Sequence, residues 1–413
     1  MSVIYLDNNA TTQVAPEVVE AITPYLTGEY FNPSSMYDAA RGPADAVSAA
    51  RRRIAKLLGN ARPNEILFTS CATESNNTAV FGTVAANPDR RHVITTSVEH
   101  PAIHNVAQDL ERRGFEVDFL PVDSEGRLDV TDFVHALRPD TLLVSVMLAN
   151  NETGVIFPVE ELARITKETD PGIVFHTDAT QGVGKLPIDL RGSFQNVDLL
   201  SFSGHKLHAP KGIGALYIRR GTPCRPFMLG GHQEDGRRAG TENVAFIVGL
   251  ARALELAVEH HDTDEGRIVA MRDRLQRELE NRIPYLQVNG GAAPRLINTL
   301  NVACHFIEGE GILYQLSSHG ICASSGSACT SGSLEPSHVL RAMKIPFTAI
   351  HGSVRFSLSR YNTEAEIDRV IEVFPEIVAS LRRMSPYWDA ERDAPRPEAL
   401  EMLEAPDMPQ DHA

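Results

Sequence analysis

Val197-Asp198-Leu199-Leu200-Ser201, continuing as Phe202-Ser203-Gly204-His205-Lys206, takes a short apolar run straight into small polar residues and a lysine. A run this short, closed by turn formers, reads as a buried strand. Similar runs recur on both sides of it: Glu65 to Thr69, His92 to Thr96, Leu142 to Val146, Ile173 to His176 and Ala215 to Ile218. Glu74 to Ala86 and Val159 to Glu168 read as helices between them. This alternation predicts an α/β fold, a mostly parallel doubly wound sheet covered by helices. Ligands of such sheets bind outside the carboxyl ends of the strands. Residues just after strands are therefore the first candidates for a site.

The chain has 413 residues, long for one compact domain, so two are expected. A long amphipathic stretch from Val244 to Arg282 leads out of the first. Strands at Thr299 to Val302 and Ser353 to Leu358, with a helix at Glu364 to Arg382, predict a smaller α+β domain. The expected division is a large cofactor-binding domain over 15–255 and a small domain over 1–14 with 256–384. Beyond Met384, five prolines (Pro386, Pro395, Pro397, Pro406, Pro409) mix with Glu398, Glu401 and Glu404, which predicts a mobile acidic tail over 385–413.

Composition narrows the function classes. A formal charge of −15 argues against nucleic acid as the main partner, since phosphate binding needs a basic face. No apolar run approaches the roughly 20 residues of a membrane helix, and the first residues lack the basic and apolar regions of a secretory signal. Five scattered cysteines (Cys71, Cys224, Cys304, Cys322, Cys329) suit a reducing cytoplasm better than a disulfide framework.

Four stretches after predicted strands carry chemistry. Lys206 is placed as a Schiff-base former, although a lone lysine is usually a surface residue. Asp178, in His176-Thr177-Asp178-Ala179-Thr180-Gln181, can hold a proton on a ring nitrogen or merely cap a turn. Thr69-Ser70-Cys71-Ala72-Thr73 runs from strand into helix, where free backbone N–H groups attract phosphate, or where Thr73 is a plain cap. His100, ahead of Pro101, can stack on a flat ring and move protons, or be an ordinary satisfied polar residue. A fifth stretch, Ser324-Ser325-Gly326-Ser327-Ala328-Cys329-Thr330-Ser331-Gly332-Ser333, mounts one thiol among residues that cannot build a core. It reads as a mobile reactive cysteine or as a flexible loop.

At these residues the chain resembles the cysteine desulfurases of the pyridoxal-phosphate-dependent aminotransferase superfamily. The resemblance runs from Tyr5-Leu6-Asp7-Asn8-Asn9-Ala10-Thr11-Thr12 to Arg355-Phe356-Ser357-Leu358-Ser359-Arg360. Gly230-Gly231-His232-Gln233, Arg237-Arg238-Ala239-Gly240-Thr241-Glu242-Asn243 and the loop ending at His338 are most similar to the nitrogen-fixation type. It implies pyridoxal 5'-phosphate bound covalently to Lys206, with Asp178 on the ring nitrogen, Gln181 on the phenolic oxygen and Asn151 close by. It further implies that His100 stacks on the ring and moves protons, and that Ala72, Thr73, Ser203 and His205 hold the phosphate. Thr241 would reach the phosphate of the other subunit of a homodimer, and Arg355 with Asn32 would grip the substrate carboxylate. Cys329 would take sulfur from L-cysteine as a persulfide, leaving L-alanine, and pass it to an iron–sulfur scaffold protein serving nitrogenase. Cys71 departs from the family's usual small residue, which leaves the backbone donors intact.

Two other readings compete. An aminotransferase or lyase on this fold, for example a selenocysteine lyase, would use Lys206 and Asp178 and leave Cys329 incidental. A metal or iron–sulfur protein would use Cys322 with Cys329, or His205 with His208, but neither spacing is a C-x2-C pair and no fourfold set assembles, so no metal ligand is assigned.

Overall fold

The computed structural model of the chain describes residues 3–307, 311–325 and 336–404. After β1 (Ile4–Tyr5), helices α1 (Pro16–Thr27) and α2 (Arg41–Leu57) precede the main sheet. Its strands are β2 (Ile66–Thr69), β3 (His92–Thr96), β4 (Glu116–Leu120), β5 (Thr141–Ser145), β6 (Val174–Asp178), β7 (Leu199–Ser203) and β8 (Gly214–Ile218). Helices α3 (Ala72–Ala86), α4 (Pro101–Arg112), α5 (Val130–Ala136) and α6 (Val159–Thr169) connect them. The order is β2-β8-β7-β6-β5-β3-β4, parallel except for β8, which runs antiparallel to both its neighbours. Every residue of β3, β5, β6 and β7 is buried, as strands covered on both faces must be. The mostly parallel α/β sheet expected from the sequence is present.

The long amphipathic stretch forms two helices, α7 (Val244–Glu259) and α8 (His261–Arg282). His260 leaves helical geometry between them (φ −103°, ψ 1°). There follow β9 (Leu286–Val288), β10 (Thr299–Cys304), α9 (Gly311–Ser318), β11 (Ile321–Cys322), α10 (His338–Ala342), α11 (Phe347–Ile350), β12 (Ser353–Ser357) and α12 (Glu364–Met384). β12, β10 and β9 form an antiparallel sheet, and β1 pairs in parallel with β11. Their apolar faces close a second core with α8 and α12, around Met271, Leu275, Phe356 and Phe374. Val339, Leu340, Met343, Ala349 and Ile350, on and beside α10 and α11, pack instead into the large core. The expected division at residue 256 therefore does not describe the packing of this segment.

The tail expected to be mobile is ordered over 385–404. A two-stranded pair, β13 (Trp388–Asp389) with β14 (Ala394–Pro395), leads into α13 (Pro397–Glu404). Trp388 supplies the reason: it is buried against Phe306 and Ala399, with the Arg382 guanidinium 4.8 Å from its ring centre. Residues 405–413 lie outside the described residues. No helix among the described residues is long and apolar enough to cross a membrane.

Candidate active site

A cavity of about 390 Å³ opens at the carboxyl ends of β6 and β7 and the amino terminus of α3. Lys206, Asp178, His100, Ala72, Thr73, Asn151, Gln181, Ser203, His205 and Arg355 all line it. Ten of the residues singled out in the sequence thus meet around one space, from segments nearly 300 residues apart.

Lys206 ends the single turn after β7, and its Nζ donates to the carbonyls of Asn9 (2.6 Å) and Ala10 (2.8 Å). Asp178 closes β6. Its Oδ2 accepts from Asn76 Nδ2 at 2.7 Å and its Oδ1 from the Thr180 amide at 2.9 Å. His100 is the N-cap of α4, where Nδ1 accepts the Ala102 amide at 3.1 Å, so the neutral ring carries its proton on Nε2. Burial drives the His100 pKa down, helped by Lys206 and His338 and opposed by Asp178. His205 falls to about 4, chiefly through burial and then through Lys206. Both imidazoles are therefore neutral near neutral pH and able to accept a proton.

The start of α3 has no side-chain cap at Cys71, which leaves the first-turn amides at Ala72 and Thr73 without an intrahelical partner. Gly214 brings this helix start down onto β8: a Cβ there would lie 2.7 Å from the Cys71 carbonyl carbon and 2.9 Å from its Cα. Ser203 and His205 stand on the neighbouring strand end.

Arg355, on β12, is 2% exposed. Its Nη2 meets Asp7 Oδ1 at 2.6 Å and its Nη1 donates to the Asn151 carbonyl at 2.9 Å. It therefore serves as a bridge between the two halves of the chain as well as a cation facing the cavity. Its Nε and Asn151 Oδ1 are buried and have no hydrogen-bond partner among the described residues. Gln181 donates through Nε2 to the Asn9 carbonyl at 3.0 Å. The chain returns to this site at residue 336: Ser337 donates to Glu152 Oε2 at 2.6 Å, and His338 Nε2 lies 2.9 Å from the Glu99 carbonyl.

Two expected residues are not brought to this cavity. Thr241 lines a separate one of about 200 Å³ with Phe68, Ser70 and Arg238. Asn32 is exposed, and its Oδ1 accepts the Ser34 amide in a local turn. Cys329 lies outside the described residues. Sequence reasoning passed over Asn9, Asn76 and Lys185. The cluster Asp7-Asn8-Asn9, polar yet directly after a strand, was the available signal for the first. Asn76 and Lys185 gave none, because a polar residue in a helix or a turn reads as solvated.

The lining suits one kind of group. An amine can hold a carbonyl, a carboxylate can hold a protonated ring nitrogen, a bare helix start can hold a phosphate, and buried orphaned polar atoms at Asn151 and Arg355 await an oriented polar ligand. The comparisons agree. Residues 4–370 match the family model described as aminotransferase class-V. A cysteine desulfurase of Nostoc sp. is 56% identical over 391 residues, covering 95% of this chain and 96% of that protein. The cysteine desulfurase NifS of Azotobacter vinelandii is 54% identical over 388 residues, covering 94% and 96%. Among solved structures, a NifS-like protein superimposes with a TM-score of 0.86 at 38% identity, over 92% of this chain and 100% of that one. One titled "SspA in complex with cysteine" gives 0.76 at 35% identity, over 87% and 100%. With a family match over most of its length and a cavity built for pyridoxal 5'-phosphate, the chain belongs to the class-V aminotransferase family and, within it, to the cysteine desulfurases.

Proposed function

We propose that the enzyme takes sulfur from L-cysteine onto Cys329 and delivers it to an iron–sulfur scaffold protein, in the service of nitrogenase maturation. The chemistry balances: L-cysteine and the Cys329 thiol give L-alanine and a Cys329 persulfide. The observation that carries this reading is the convergence of Lys206, Asp178 and Arg355 on one cavity. The relative solved with cysteine and the similarity to NifS support the substrate and the nitrogen-fixation role.

When bound, pyridoxal phosphate supplies the electron sink that makes the α-proton of cysteine removable. Ala72, Thr73, Ser203 and His205 would hold its phosphate, Gln181 its phenolic oxygen with Asn151 close by, and Lys206 its carbonyl carbon. The residues of this chain do the rest. Asp178 keeps the ring nitrogen protonated. Arg355 fixes the substrate carboxylate with its planar guanidinium, giving up part of its bond to Asp7. Lys206 takes the α-proton and returns it to the product. His100, neutral and at the cavity wall, accepts the thiol proton of Cys329 on Nδ1 as that atom releases the Ala102 amide, since the thiolate is the nucleophile.

The placement of Thr241 and Asn32 away from the cavity of their own chain supports a homodimer in which they serve the partner's site. Exposed Tyr30, Met36, Phe227 and Leu229 lie close to them in sequence and suit such an interface. Incubation with L-cysteine and a reductant, following sulfide and alanine together, tests the reaction. Equal release of both is expected, and Lys206→Ala should abolish it. Mercaptopyruvate without sulfide would favour an aminotransferase, and pyruvate with sulfide a lyase.

A further inference from the structure

Lys185 is a half-buried lysine that the mechanism above does not use. It lies in the turn after β6, where its backbone amide bonds the Gly182 carbonyl. Its Nζ donates to Gln181 Oε1 at 2.8 Å. Among the described residues it forms no ion pair, and its electrostatic surroundings are positive. Lys206 and Arg355 add to burial in lowering its pKa to about 7. A cation in such a place is unfavourable unless its donors are needed.

The need is visible in the Gln181 side chain, which is 4% exposed and lines the cofactor cavity. Its amide is gripped at both ends. Oε1 accepts from Lys185, and Nε2 donates to the Asn9 carbonyl. Turned over, the amide would set its oxygen against a carbonyl oxygen and its NH2 against an amine. The Asn9 carbonyl already accepts Lys206 Nζ at 2.6 Å, so its hold on Gln181 is shared. Lys185 provides the hold that is not shared. Charged or neutral, a lysine amine keeps N–H donors for this bond.

We propose that Lys185 is a positioning residue for pyridoxal phosphate, orienting the Gln181 amide so that Nε2 is the atom offered to the cofactor's phenolic oxygen. This rests on the reading of Gln181 given above.

The test compares Lys185→Met, Lys185→Gln, Gln181→Leu and the double variant Gln181→Leu/Lys185→Met, reconstituted from apoprotein with pyridoxal phosphate. Two quantities are read: the cofactor dissociation constant and the position of the visible absorption band. Lys185→Met, which keeps the bulk without a donor, should weaken binding by about tenfold and move the band. Lys185→Gln, which keeps a donor without the charge, should stay close to wild type. In the Gln181→Leu background the Met substitution should add nothing.

Wild-type affinity and band in Lys185→Met would overturn the proposal. So would an equal loss with and without Gln181, or a Gln variant as impaired as the Met variant, which would mean that charge alone matters. An unchanged band in Gln181→Leu would instead remove the Gln181 reading itself. Circular dichroism of each apoprotein checks folding, and Lys185→Ala replaces Lys185→Met, with the same outcomes, if the latter does not fold.

Discussion

Asn76 donates through Nδ2 to Asp178 Oδ2 at 2.7 Å, so a fully buried side chain on α3 holds the carboxylate that closes β6. The same helix presents its bare first turn to the cavity. The groups suited to a ring nitrogen and to a phosphate are thus tied to one rigid element. Preorganisation of this kind lets a charge act without rearrangement at the moment of reaction.

Asp178→Asn keeps the shape of this contact and removes the charge. The cofactor should still bind, while kcat falls by at least about a hundredfold, in the range typical of losing a group that controls a proton. Absorbance gives the bound cofactor and an alanine assay gives kcat. A variant with normal kcat would reduce Asp178 to a structural role.

Much of the site was legible because βαβ folds put chemistry after strands. Lys206, Asp178, His100 and the Cys71–Thr73 junction could each be found by looking just beyond an apolar run. What was hidden depends on chain reversal. Asn9 matters because β1 pairs with β11, more than 300 residues later, and swings the amino terminus under Lys206. Neither periodicity nor spacing contains that pairing. The tail was misread for a related reason: its acids and prolines suggest disorder, and only the fold reveals that Phe306 and Arg382 wait for Trp388.

The ordered tail can be released. Trp388→Ala removes the ring that packs on Phe306 and Arg382, at a local cost of about 3 kcal/mol. Residues 385–404 bury little else, so the effect should be local undocking. Limited proteolysis should cut this segment faster, while the main melting transition moves by no more than about 2 °C. A large fall in the main transition would make the tail part of the global core.

Glu99 should impose a pH dependence on stability. It is fully buried, and Oε1 accepts from Thr96 Oγ1 and the Met147 amide, both at 2.9 Å. Burial raises its pKa to about 8, with Asp178 adding a smaller push. The native state therefore holds this proton more tightly than the unfolded chain, whose glutamates titrate near about 4.3. The stabilisation is full below that value and is lost as pH rises toward 8. Glu99→Gln mimics the protonated acid. It should melt with wild type at about pH 5 and above it at about pH 9. A constant difference across this range would show that Glu99 does not titrate there.

Cys329→Ala separates a desulfurase from its competitors on the same fold. The substitution leaves Lys206, Asp178 and Arg355 in place, so L-cysteine should still bind and change the cofactor's spectrum. Sulfide and alanine should not appear, because no thiolate remains to take the sulfur. In the wild-type enzyme, mass spectrometry after brief exposure to cysteine should find one added sulfur on the peptide containing Cys329. Cys322 is the nearest alternative in sequence, and it is fixed in β11 by pairing with Tyr5. Burial and the neighbouring Asp7 raise its pKa and disfavour the thiolate. It should stay unmodified, and Cys322→Ala should keep most of the activity. Release of alanine and sulfide by Cys329→Ala at the wild-type rate would end the persulfide mechanism and leave a lyase as the better account of the cavity.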